Sequence, residues 1–135
     1  MSTTEELLEV QQKLTQNALE IAESFERTLD FSLDSINTVE SVLAELHDFF
    51  VETGADDGYN GIALSLGASI ITVIEKHFQH GTWRRDHEEI GEETFPYEWS
   101  GKTLFPYGWC LNRLYDGPAD NVASKFTALV VDHQD

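Results

Sequence analysis

Residues 61–78 read GIALSLGASIITVIEKHF, and this stretch decides the fold of the chain. From Gly61 to Ile74 it carries no charged side chain, and its large apolar residues recur at helical spacing. A helix that is apolar over most of its surface belongs inside a domain, so we predict the central core helix here. Gly67 and Ala68 lie in its middle, where they lower helix propensity but let a second backbone approach closely.

Two amphipathic helices are predicted before the core helix. The first runs to about Thr28, with apolar residues at steps of three and four. The second is expected to be capped by the Ser32 side chain, with Asp34 in its first turn near the positive end of the helix dipole. Its buried stripe is predicted to contain Ile36, Val39, Val42, Leu43, Leu46, Phe49 and Phe50.

Aromatic residues become frequent in the last third of the chain, which favours strands. We predict one strand over residues 82–87, a second over residues 95–99, and a turn at residues 100–101 into a third segment over residues 102–104. Because Pro96 cannot donate a ladder hydrogen bond, the second strand is expected at the edge of the sheet.

Two further helices complete the predicted fold. Pro106 suits the first turn of one helix, which should stop at residues 116–118, DGP. Asp120 or Asn121 can cap the last helix. The sequence therefore predicts a single α+β domain over residues 1–135, in which a small antiparallel sheet packs against four or five helices.

The chain is strongly acidic, with 25 Asp and Glu against eight Lys and Arg and a net charge of -17. This charge disfavours direct binding to nucleic acid or to anionic lipid. Residues 1–60 hold 14 of the acidic residues, so we predict an acidic N-terminal helix over residues 1–28 and a core domain over residues 29–135. The N-terminus lacks the pattern of a signal peptide, and a cytoplasmic location is expected.

Glu45, Asp48 and Glu52 are predicted to share one face of the second helix without a basic neighbour one turn away. One interpretation is that this face only keeps the protein soluble. The interpretation we carry forward is a non-enzymatic binding protein, such as an immunity or inhibitor protein, that docks on a basic partner. A variant of it is nucleic-acid mimicry, in which carboxylates imitate phosphates.

A rival hypothesis is a small-ligand-binding or enzymatic domain, with Trp83, Tyr97 and Trp99 as walls of an aromatic pocket. The same aromatic side chains could instead form a hydrophobic core. No cofactor or metal is predicted, because the spacing of His77, His80 and His87 fits no metal-binding signature. The first two should lie at a helix end and His87 on an exposed strand, and Cys110 is expected to be a buried structural thiol.

Short motifs also occur in a characteristic order along the chain. They are Leu29-Asp30-Phe31-Ser32 with Ser35, Leu66-Gly67-Ala68, Gly81 with Trp83, Phe105-Pro106, Asn112-Arg113-Leu114 and Gly117. Over roughly residues 29–130 this order resembles an uncharacterised bacterial family of small α+β domains of unknown function. The resemblance implies the fold and, for some members, an accessory or immunity-type role, and it assigns no catalytic residues. Asn112 stands where the family is expected to have a basic residue before Arg113.

Overall fold

The structure, a computed structural model, describes residues 4–133 and the side chains of residues 9–132. Its helices and strands are, in chain order, α1 (Thr4–Ser24), α2 (Ser35–Thr53), α3 (Tyr59–His77), β1 (Thr82–Trp83), β2 (Tyr97–Trp99), β3 (Lys102–Leu104), α4 (Pro106–Asp116) and α5 (Val122–Leu129). Single 3-10 turns follow α4 at Pro118–Asp120 and α5 at Val131–His133. The predicted α+β class, with a small antiparallel sheet and five helices, is confirmed. Within residues 4–133, no helix is long and apolar enough to cross a membrane.

Helix α3 is the central element, as predicted, and α1 and α4 pack against it. Most of its residues between Ala63 and Ile74 are buried. A Cβ atom added at Gly67 would lie 3.0 Å from the backbone nitrogen of Tyr107 and 3.2 Å from the carbonyl carbon of Pro106. The predicted close approach of a second backbone at Gly67 is thus confirmed, and that backbone belongs to the first turn of α4.

Helix α1 ends at Ser24, earlier than predicted, because Glu26 adopts a left-handed conformation with φ of 61°. Its Ala18 and Ala22 are completely buried. On a neighbouring part of the helix, the Thr15 hydroxyl lies 3.1 Å from the hydroxyl of Thr72 on α3. The N-terminal helix is therefore packed onto the core helix through small side chains and a polar contact.

The predicted capping of α2 by Ser32 is wrong. The Ser32 hydroxyl donates to Asp30 Oδ1 over 2.6 Å, so its oxygen serves the preceding turn. The N-cap residue is Asp34, which has helical backbone angles and makes no side-chain capping bond. The backbone carbonyl of Ser32 accepts from the nitrogen of Ser35 instead. The Ser32 side chain, which the sequence pattern assigned to the cap, therefore bonds within a short polar turn before the helix.

The sheet has the order β1-β2-β3 and is antiparallel throughout. The predicted edge position of the second strand is wrong, because β2 is central. Pro96 lies just outside the ladder, where its carbonyl accepts from Arg84 nitrogen over 2.9 Å and its missing N–H costs no ladder bond. β1 stops at Trp83 instead of continuing to residue 87, since Phe95, on the opposing segment, has φ of 51° and breaks the extended backbone.

The two C-terminal helices begin where they were predicted. Pro106 is the first residue of α4, and the Asn121 side chain caps α5 by accepting from the nitrogen of Ser124 over 2.9 Å. Both helices bond to one side chain of α2: the Glu40 carboxylate forms an ion pair with Arg113 Nε over 2.8 Å and accepts a hydrogen bond from the Val122 nitrogen over 2.9 Å. The pair fixes α2, α4 and α5 together at their common contact.

Candidate functional site

Glu45, Asp48 and Glu52, here called the acidic stripe, all lie exposed on α2. Their spacing of three and four residues places them on one side of the helix, along about 10 Å of its axis. The opposite side of α2 is buried against the core through residues that include Val39, Leu43 and Leu46. The acidic stripe is therefore presented to solvent by a helix whose other side anchors it.

One carboxylate of the acidic stripe has a basic partner that the sequence did not reveal. Arg27, in the segment after α1, forms an ion pair with Glu45 and also donates to the carbonyl of Phe25 over 3.2 Å. Helical spacing within α2 could not predict this contact, because Arg27 comes from another part of the chain. Among the described side chains, no ion pair forms on Asp48 or Glu52. The net charge of the stripe is concentrated on these two residues.

Two exposed apolar side chains border the acidic stripe. Phe49, which was predicted in the buried stripe of α2, is 51% exposed, and Val51 is 67% exposed. Phe50 turns inward instead and makes an edge-to-face contact with Tyr115, with ring centroids 5.2 Å apart. Phe50 therefore lies on the core side of α2, whereas Phe49, about 100° away around the helix axis, lies on the solvent side. The prediction for Phe49 is therefore wrong.

The C-terminal end of α2 adds to the negative potential of this surface. Its last turn contains Glu52 and no basic residue, so the negative end of the helix dipole is not compensated within the helix. The helix closes at Gly54, whose φ of 74° allows its nitrogen to donate back to the carbonyl of Phe50. A cationic group approaching this end meets both a carboxylate and the dipole.

Trp83, Tyr97 and Trp99 lie on the sheet, and all three are buried, with at most 7% exposure. Their polar atoms already have partners inside the protein: Trp83 Nε1 donates to the carbonyl of Phe95, and Trp99 Nε1 donates to that of Gln79. These side chains belong to the hydrophobic core. Trp99 also lines an open cavity of about 480 Å³ with residues that include Glu98 and Lys102.

Tyr97 also takes part in a polar network at the edge of that core. Its hydroxyl donates to Glu75 Oε2 over 3.0 Å and accepts from the nitrogen of Gly81 over 2.8 Å. Burial, reinforced by the negative charge of Glu75, raises the pKa of the Tyr97 hydroxyl well above its usual range. Tyr97 is thus held as a donor at neutral pH, which suits a structural bond between the sheet and α3.

Cys110 and the histidines are the remaining candidates for reactive or metal-binding side chains. Cys110 is a free and completely buried thiol, as predicted, and burial raises its pKa. A thiol that stays protonated is a poor nucleophile. Over residues 9–132, no group of three or more His, Cys, Asp or Glu side chains is placed to hold a metal ion.

An open groove of about 490 Å³ lies between α1 and α3. It is lined by both apolar and polar residues, among them Leu14 and Ile62.

Comparison of the chain with protein-family models, with curated proteins and with solved structures finds no match. The resemblance over residues 29–130 to a family of small α+β domains therefore stays a prediction. Among the described surfaces, the acidic stripe with its apolar borders has the most distinctive chemistry.

Proposed function

We propose that the chain is a non-enzymatic binding protein that docks the surface of α2 on a basic protein, as an inhibitor or immunity protein does. The observation that carries this proposal is the half-exposed phenyl ring of Phe49 beside the carboxylates of Asp48 and Glu52. In protein interfaces, buried aromatic anchors supply much of the affinity, while charges around them steer association and reject wrong partners.

Solubility alone accounts for the carboxylates but not for the exposed apolar residues that border them. A net charge of -17 already keeps a domain of this size apart from its copies. Exposing Phe49 and Val51 works against that effect, because each leaves apolar surface in water. Burial of both side chains against a partner would remove this cost, and the uncompensated end of α2 would favour a cationic partner.

Nucleic-acid mimicry has less support from the same geometry. Duplex DNA carries one charge per about 1.7 Å of its axis, so about six charges would fall along the length of the acidic stripe. The stripe supplies three, and Arg27 is paired with one of them. The ligand-pocket hypothesis has less support as well, because Trp83, Tyr97 and Trp99 are core residues.

The test compares proteins captured from the native lysate by the tagged chain and by two double variants. Asp48→Asn with Glu52→Gln removes the unpaired charges of the acidic stripe. Glu9→Gln with Glu23→Gln removes the same charge from exposed positions on α1 and is the matched control. Capture is carried out at about 50 mM and at about 500 mM NaCl, since high salt screens exposed charges.

We expect the wild-type chain and the control to capture one basic protein that the stripe variant does not, and we expect salt to release it. With that protein purified, Phe49→Ala should weaken binding by more than about tenfold while leaving the salt dependence of the dissociation constant unchanged. Equal capture of this protein by the stripe variant, or capture that does not depend on salt, would contradict the proposed docking surface.

A further inference from the structure

The segment between β1 and β2 folds back on itself as a tight loop. Its two sides are joined at the base, where the nitrogen of Phe95 donates to the carbonyl of Arg85 over 2.9 Å. Nearer the tip, His87 and Gly91 exchange two backbone hydrogen bonds of 2.9 and 3.0 Å. Residues 88–90 form the turn between them, and Ile90 in this turn is 62% exposed. We call residues 86–95 the acidic loop, since five of its ten residues are Asp or Glu.

The His87 side chain closes the tip of the acidic loop. Its Nδ1 atom lies 3.0 Å from the backbone nitrogen of Glu89 and 3.1 Å from that of Ile90. Both nitrogens are donors, so Nδ1 has to be the acceptor and carry no proton. Neutral imidazole offers one such acceptor atom, and protonated imidazole offers none. The closed turn is therefore compatible with the neutral side chain only.

The surroundings of His87 leave the ring open to protons from solvent. One face packs on the ring of Phe105, at a centroid distance of 5.7 Å, and this residue before α4 brings no charge. The ring also lines an open cavity of about 460 Å³. The charged side chains that line this cavity with it are Arg84, Asp86, Glu88, Glu89 and Glu98.

Three of these charged groups are already engaged within the loop and the sheet. Arg84 pairs with Glu98 over 3.2 Å, and Asp86 accepts from the nitrogen of Glu93 over 2.9 Å. The remaining carboxylates that line the cavity belong to Glu88 and Glu89, in the same turn whose backbone N–H groups donate to Nδ1. The conformation of the turn thus decides whether the ring can hold a second proton.

We propose that the acidic loop is a pH-sensitive element that neutral His87 holds closed and that protonation of Nδ1 opens. Protonation replaces two accepted hydrogen bonds by an N–H group facing two N–H groups, so the turn at residues 88–90 must move away. The loop then presents Ile90 and its neighbouring carboxylates in a fixed arrangement at neutral pH and in a mobile one under mildly acidic conditions. This inference does not depend on the docking surface of α2.

The test measures backbone order in the loop by ¹⁵N relaxation between about pH 8 and about pH 5.5, a range above the ordinary titration of carboxyl groups. In the wild-type chain we expect order parameters at residues 88–91 to fall from about 0.85 to below about 0.6. The midpoint should coincide with the titration of the His87 ring, followed in the same samples.

Three variants make the test specific. His87→Asn keeps an acceptor near the position of Nδ1 and does not titrate, so its loop should stay ordered at every pH in the range. His87→Ala should be mobile at every pH. His80→Asn removes an exposed histidine outside the loop and should behave like the wild-type chain. An ordered wild-type loop at the acidic end, or a His87→Asn loop that loses order with the wild-type midpoint, would overturn the proposal.

Discussion

Gly67 sets the distance between α3 and α4, because the backbone of α4 lies too close to leave room for a side chain at this position. With a Cβ only 3.0 Å from the Tyr107 nitrogen, Gly67→Ala forces the two helices apart. We expect this variant to lower the free energy of unfolding by about 1–3 kcal/mol, as overpacking does in other cores. Urea denaturation followed by tryptophan fluorescence measures the change.

Gly61→Ala is the matched control for this prediction. It lies in the same helix, and a Cβ atom there meets nothing within 4 Å. Alanine favours the helix over glycine, so this variant should be unchanged or more stable by about 0.5–1 kcal/mol. If Gly67→Ala were as stable as Gly61→Ala, the close backbone contact would not exist in solution.

At the scale of helices, the buried pair of Glu40 and Arg113 joins α2 to α4, and the same Glu40 carboxylate accepts from the first residue of α5. The Arg113 side chain is 5% exposed and that of Glu40 is 12% exposed, so the pair is largely removed from water. Arg113→Met leaves the Glu40 carboxylate without its cation. We expect a loss of about 3–5 kcal/mol in the free energy of unfolding, measured by urea denaturation, because an unpaired buried charge is costly.

Lys125→Met is the control, since it breaks the ion pair between Lys125 and Asp120. The side chains of these two residues are 26% and 28% exposed. More exposed pairs contribute about 0–1 kcal/mol. The double variant Glu40→Met with Arg113→Met should recover much of the loss, because no buried charge remains. A cost for Arg113→Met no larger than that for Lys125→Met would contradict the role given to the pair.

Helical periodicity predicted the helices well because it reports burial, and burial of α3 organises this fold. What the pattern missed depends on particular contacts, some between distant parts of the chain and some within a single turn. Arg27 reaches Glu45 from outside the helix, Ser32 bonds to Asp30 instead of capping α2, and Phe49 is exposed while its neighbour Phe50 packs on Tyr115. The acidic stripe could be found from its spacing, whereas its apolar border and its partial neutralisation required the fold.

At the scale of the whole molecule, carboxylates greatly outnumber the cations that could balance them. Five of the eight Lys and Arg side chains already form ion pairs within the described part of the chain: Arg27, Arg84, Arg85, Arg113 and Lys125. The remaining carboxylates repel one another, and a high net charge destabilises a compact state through this repulsion. The acidic stripe adds a local contribution, because like charges one helical turn apart weaken a helix.

We therefore expect the melting temperature at pH 7 to rise with NaCl, since the Debye length falls from about 30 Å at 10 mM to about 8 Å at 150 mM. Asp48→Asn with Glu52→Gln should melt at a higher temperature than the wild-type chain in low salt and respond less to added NaCl. Differential scanning calorimetry measures both effects, and a melting temperature that is constant or falls with NaCl would contradict them. If neutralising Asp48 and Glu52 both stabilises the chain and abolishes binding of the basic partner, the wild-type chain keeps these charges at a cost to its own fold. Residues used for binding commonly have such a cost.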